Sequence, residues 1–142
     1  MAAGVTVANH VKYLLGTKAI TFASDVFKII LMQSGYTFDV DDDELYATVS
    51  GSELATANGY TAGGFTLTGV AVTEDDTDNR TEVTWNSATW VASGTIGPSP
   101  GAIVYDDTVA NDPILMYIDF GGDMTQAAGG TATIANIEFR IA

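Results

Sequence analysis

Gly97-Pro98-Ser99-Pro100-Gly101 spells the G-x-S-x-G of a hydrolase nucleophile elbow. In such an elbow a strained strand-to-helix turn lifts the serine hydroxyl towards a general base. Proline on both sides of Ser99, followed by strand-like sequence, provides neither the turn nor the helix. The only histidine, His10, sits far upstream in a segment that reads as an arm. A surface loop over 94–101 is the simpler reading.

Acidic residues offer two further chemistries. Asp39-Val40-Asp41-Asp42-Asp43-Glu44 alternates oxygen donors as a calcium loop does. Glu44, however, occupies the place where an EF-hand needs glycine, and Ser50 the place of its bidentate glutamate. Thr73-Glu74-Asp75-Asp76-Thr77-Asp78 has no ligand template either, so no metal and no cofactor is expected. A glycosidase pair needs one carboxyl with a raised pKa at a fixed separation from the other. These acids cluster in turns, where water keeps them charged. Asp119 is flanked by Ile118 and Phe120, and strand alternation points it outward. No catalytic residue is assigned.

Tyr60, Trp85, Trp90 and Tyr105 are a candidate sugar-stacking platform, although aromatics at strand spacing usually belong to a core. Asn79-Arg80-Thr81 is a glycosylation sequon, which matters only along a secretory route. The opening residues MAAGVTVANHVKYLLG lack a basic leader region and are broken by Asn9, His10 and Lys12, so no signal peptide is expected.

The elements that must position these residues are mostly strands. Residues 1–24 read as an extended arm followed by a short helix or turn, with Asn9 as N-cap and Gly16 ending the helix. Residues 25–142 read as one β-sandwich domain. Strand patterns cover 26–32, 65–67, 70–72, 83–85, 89–91, 102–105, 114–120, 131–134 and 137–141, and 45–49 is a short strand or a single turn. Asn58-Gly59 and Gly63-Gly64 mark turns. The expected fold is an all-β, single-domain antiparallel sandwich of jelly-roll type. Its expected core is Phe27, Ile29, Leu31, Leu67, Val70, Val72, Val83, Trp85, Trp90, Ile103, Val104, Leu115, Tyr117, Ile118, Phe120, Ile134, Ile137 and Phe139.

Charge divides the chain unevenly. Lys12, Lys18 and Lys28 against Asp25 give the first 28 residues a formal charge of +2. Arg80 and Arg140 against the other 17 acids leave the remainder at −15, for a total of −13. Such a body repels nucleic-acid phosphates and anionic membrane surfaces, so neither is an expected partner. There are no cysteines, hence no disulfide and no thiolate chemistry.

The order of motifs carries a resemblance. A small-residue start leads to NHVKYLLGTKAITFASDVFKIILMQSGYTFDVDDDELYATV, then GYTAGGFTLTGVAVTEDD, VTWNSATW, AIVYDD and PILMYIDFGGD, with a G-G-T-x-T-I strand and IEFRI to close. This resembles tailed-phage virion structural proteins, and most of all the capsid cement or decoration proteins of short-tailed phages. The resemblance spans nearly the whole chain but consists of strand and turn signatures without catalytic content. It implies a jelly-roll or related sandwich on the exterior of the virion capsid, made in the host cytoplasm. Its implied partners are the major capsid protein and other copies of itself, as dimer or trimer. Val5, Val7, His10, Lys12 and Tyr13 of the arm are the expected capsid contacts. Tyr36, Phe38, Gly97, Pro98 and Pro100 are the expected loop contacts. Removing residues 2–15 is expected to abolish capsid binding and leave the β fold intact. The pattern is also similar to phage tail, fibre or head-spike components, and a carbohydrate- or calcium-binding sandwich is the further alternative.

Overall fold

The computed structural model describes residues 4–142. Ten strands and two short helices follow one another along the chain. They are β1 (Gly4–Val7), α1 (Asn9–Gly16), β2 (Phe27–Leu31), α2 (Tyr46–Val49), β3 (Phe65–Thr66), β4 (Ala71–Asp75) and β5 (Arg80–Trp85). Then come β6 (Ala88–Val91), β7 (Ile96–Asp106), β8 (Ile114–Gln126), β9 (Thr131–Ile134) and β10 (Ile137–Ile141). Every strand pairing is antiparallel.

The large sheet has the order β1-β8-β7-β2-β3, and two smaller sheets are ordered β10-β5-β4 and β6-β9. These five-, three- and two-stranded sheets are not the paired four-stranded sheets of a jelly roll, so the expected all-β sandwich is present with a different strand order. The reason lies in β7 and β8. They form one long hairpin at the centre of the large sheet, and β1 and β2 from the start of the chain flank it.

Aromatic side chains join the layers. Phe27 of the large sheet meets Trp85 of β5 at 5.3 Å, and Phe22 lies 5.3 Å from Phe139 of β10. Phe65 of β3 packs edge-on against Trp90 of β6 at 5.8 Å. The opposite face of the large sheet is covered by α2 and by the loop around residue 38, through Tyr46 on Tyr105 and Phe38 on Tyr117. Because both faces are covered, β7 and β8 read as continuous buried runs over 101–106 and 113–118, where alternation disappears.

Most of the expected core is buried, with three departures. Val72 is 53% exposed because β4 is the outer strand of the three-stranded sheet. Val70, just before β4, and Phe120, where β8 passes beyond its buried run over 113–118, are half-buried. Conversely, Ile30, Met32, Ile114 and Met116, outside the expected core, are fully buried.

Two segments differ from expectation in kind. The loop expected over 94–101 is largely strand. Residues 96–101 belong to β7, with register shifts at Ile96/Ser99 and Ser99/Gly101. Prolines are tolerated at such bulges because the ladder there lacks regular N–H donors. The described residues ahead of α1 are a paired strand. Residues 4–7 are an edge strand in register with β8, Val5 opposite Ile118 and Val7 opposite Met116. Ala8 N–H continues the pairing to Leu115 O at 3.0 Å, and Ala8 and Val11 are fully buried. The helix ends at Gly16, but its N-cap is Ala8, and the Asn9 amide is turned to Asp41. The first three residues of the expected arm lie outside the described residues.

Gly64 shows how tightly the turn before β3 is built. Its φ is +87°, and a Cβ there would stand 2.1 Å from Ile29 O and 2.8 Å from Ile30 Cγ2. Gly64→Ala therefore meets both left-handed strain and a backbone clash on β2. It is expected to lower unfolding free energy by about 2–4 kcal/mol, read as a shifted urea midpoint.

Candidate interaction surface

The loop over 36–43 owes its shape to its acids. Asp39 Oδ1 accepts the N–H groups of Asp41 (2.9 Å) and Asp42 (3.2 Å). Asp43 Oδ2 accepts from Asp39 N–H at 2.9 Å and from the Tyr36 hydroxyl at 2.6 Å. The run that spells calcium-ligand letters thus caps its own turn, and among the described residues no group of three or more acid or histidine side chains is arranged to hold a metal.

This self-capped loop holds Tyr36 and Phe38 over the large sheet. Phe38 stacks on Tyr117 of β8 with ring centroids 5.5 Å apart and planes 10° off parallel, and Tyr36 tilts against the same ring at 5.8 Å. Burial, and then the bond to Asp43, raises the Tyr36 phenol well beyond its ordinary pKa, so it stays a neutral donor. Burial, and then Asp119 and Asp123, raises Tyr117 in the same sense.

Beside this aromatic cluster β1 and β7 approach β8 from either side. Thr6 is opposite Tyr117 in the register, so it shares the Tyr117 face of the sheet. The result is a cleft of about 360 Å³ lined by Thr6, Tyr36, Thr37, Phe38, Pro100, Tyr117 and Asp119. Its floor is aromatic, and one rim is the outer strand of the sheet. Gly4, Val5 and Thr6 are exposed there, with Val5 at 46%. A Cβ at Gly4 would meet nothing within 4 Å, so this end of the strand is open.

The sequence-derived contacts are partly brought together here. Tyr36, Phe38 and Pro100 line the cleft, whereas Val5 and Val7, on either side of Thr6, belong to the opposite face of the sheet. Gly97 lines a separate depression with Leu54, Asn58 and Tyr60, and Pro98 is exposed on β7. His10 and Tyr13 stack on α1 at 6.1 Å, with His10 Nδ1 4.0 Å from Glu44 Oε2. Tyr13 is 66% exposed.

Electrostatics single out α1 and the residues just after it. Lys28 is 3.4 Å from Asp107, Arg80 is 2.6 Å from Glu82 and bridges Asp75 and Asp78, and Arg140 is paired with Glu138. Lys12 bonds Asn9 Oδ1 at 3.3 Å, and among the described residues neither Lys12 nor the exposed Lys18 forms an ion pair. The uncompensated lysines therefore lie on or beside α1, next in sequence to the open strand.

The other chemical readings meet a different geometry. Ser99 is fully buried in β7 and donates to Gly101 O at 3.0 Å, with no helix after it. Tyr60, Trp85, Trp90 and Tyr105 are all buried, so they are interior packing and present no sugar platform. Two polar groups escaped sequence reasoning altogether, Glu53 and Asp106, both buried. Glu53 accepts from the Tyr46 hydroxyl (2.5 Å), the Tyr60 hydroxyl (2.6 Å) and Gly63 N–H (2.8 Å). The sole sequence hint was a tyrosine seven residues to either side of Glu53.

No known protein family, no curated protein and no solved structure matches the chain.

Proposed function

We propose that this protein is a non-catalytic capsid cement protein that binds the outside of an assembled phage head and stabilises the shell. The proposal joins the resemblance of the chain to decoration proteins with one observation. An open strand edge borders an aromatic cleft, and two lysines without an ion pair among the described residues lie on and just after the helix that follows that strand in an otherwise acidic chain. A strand edge supplies main-chain hydrogen bonds to an extended segment, and the cleft beside it supplies a pocket for that segment's side chains. The lysines steer the approach to acids on the shell. Anything that binds only the assembled lattice stabilises it by mass action. Repeated weak contacts across several subunits add avidity.

The deciding experiment is quantitative mass spectrometry of purified virions, comparing this chain with the major capsid protein. Equal copy number, or a simple fraction of it, supports shell decoration. A handful of copies moves the protein to the tail, a fibre or a head spike, and absence from the particle rejects the reading.

A surface variant tests the docking end without disturbing the core. Lys12→Glu with Lys18→Glu is expected to slow capsid association about tenfold at low salt and to flatten its salt dependence, because exposed charges act mainly on encounter rate. The circular dichroism spectrum should not change. Unaltered binding kinetics would remove the lysines from the interface.

A further inference from the structure

The inner end of β7 holds a buried acid that the docking surface does not use. Asp106 is fully buried, and its Oδ1 accepts the N–H groups of Thr108 at 2.8 Å and Val109 at 3.2 Å. Its Oδ2 is buried with no donor among the described residues. A carboxylate oxygen cut off from water without a donor is costly. The neighbouring acid is Asp25: the next residue, Val26, is tied to the Asp106 turn through Thr108 Oγ1 and Asp107 N–H at 2.7 Å each, and Asp25 Oδ2 accepts Thr21 N–H at 3.0 Å. Two facing carboxylates repel, whereas one proton between them supplies the missing donor.

We propose that Asp25 and Asp106 share a single proton, and that this carboxyl–carboxylate hydrogen bond is a pH-sensitive latch pinning the turn over 21–25 to the end of β7. The turn matters because it carries Phe22. That ring lies 5.5 Å from Phe27, 6.4 Å from Trp85 and 5.3 Å from Phe139, closing the aromatic junction between the large sheet and the three-stranded one. Asp106 faces the same junction, being opposite Phe27 in the β2–β7 register.

Among the described residues no cation pairs with Asp106, the arginines of β5 and β10 being engaged by Glu82 and Glu138. Lys28 of β2 is engaged by Asp107, 3.4 Å away, and Asp107 and Asp112 add negative charge from the loop after β7. Neighbouring β3 and the start of β8 bring no charged side chain. Burial first, and then the bond to Asp25, holds the Asp106 carboxyl up at about 7, against the pull of the Thr108 and Val109 amides. Its folded pKa therefore lies above the ordinary aspartate value near 3.8. The latch contributes fully below that lower value, weakens as pH climbs towards 7, and has no further loss above it.

Asp106→Asn tests this directly. The amide can donate permanently to Asp25 while its oxygen keeps the Thr108 and Val109 bonds. Relative to this variant, the wild-type folding constant is expected to fall about tenfold per pH unit between roughly pH 4 and 7. Trp85 fluorescence should shift over the same range in the wild type alone. Asp25→Asn, which donates from the other side, should flatten the profile in the same way if Asp106→Asn does not fold. A carbon-13 carboxyl titration of the wild-type protein needs no variant, and one buried aspartate titrating near neutrality is expected. Parallel pH profiles in wild type and both variants would overturn the latch, as would every aspartate titrating at ordinary acid pH. A calcium-dependent rise in melting temperature, abolished by either variant, would also overturn it, because a cation and not a proton would then fill the gap.

Discussion

Glu53→Ala is expected to be the most damaging single substitution in this protein, lowering the free energy of unfolding by about 3–5 kcal/mol. The carboxylate is 5% exposed and is the common acceptor for two phenols and a backbone amide. Alanine leaves the buried Tyr60 hydroxyl and two part-buried donors without their acceptor, and a buried donor left unpaired carries a desolvation cost of about 1–3 kcal/mol, partly relieved by relaxation. The damage spreads because the Tyr60 hydroxyl also accepts Leu31 N–H at 3.1 Å, tying the loop after α2 to the central strand β2. Glu53→Gln keeps the volume and one acceptor, and the Tyr46 hydroxyl can rotate to accept from the amide, so its cost should be about 1–2 kcal/mol. Urea denaturation of the two variants distinguishes the accounts. Equal losses would mean that Glu53 acts through packing and not through its two oxygens. The same network predicts alkaline sensitivity. Burial, and then the bond to Glu53, raises the Tyr46 phenol to about 12 from 10. Its stabilisation is intact below 10 and is lost as pH rises through 12.

Deleting residues 2–15 is expected to destabilise the fold by about 5 kcal/mol or more, enough to unfold a protein of ordinary stability. This reverses the expectation from sequence that such a truncation leaves the β fold intact. The deletion removes the partner strand of β8 and the fully buried Ala8 and Val11. It also takes the half-buried Val7, Leu14 and Leu15 from the edge of the core. The bared edge of β8 then becomes a template for aggregation. A thermal melt by circular dichroism decides the matter. A truncation melting within a few degrees of the full chain would show that the N-terminal segment is an appendage after all. Capsid-binding tests should accordingly use surface substitutions, since loss of binding by the truncation would not separate docking from folding.

Much of the fold was legible because its signals are local. Val83 and Trp85 alternate with polar neighbours and are buried together on β5, and the Gly63-Gly64 turn falls where its letters put it. Failures have physical causes of three kinds. Residues 96–101 look like a loop because proline and glycine are loop residues, yet a bulged strand uses both. Residues 4–7 are too short and too small in side chain to advertise which strand they join, and that choice is made by β8, more than a hundred residues later. Buried acids are the third case. Glu53 and Asp106 have their donors brought by the tertiary fold, and a one-dimensional pattern carries no trace of them. The interaction surface was half legible, since exposed aromatics and lysines could be named while the cleft that gathers Thr6, Tyr36, Phe38 and Pro100 could not.

The order of the large sheet has a consequence for the birth of the protein. Its first strand pairs with residues 116–119, and β2 pairs with residues 102–106. A chain emerging from the ribosome N-terminus first must therefore carry β1 unpaired, and β2 with one edge bare, until most of its length has been made. Contacts so distant in sequence are slow to form, and waiting strands are the species that stick to one another. The twelve acids against four lysines and arginines already made over residues 1–95, a formal charge of −8, then repel unfinished copies from one another until β7 and β8 arrive.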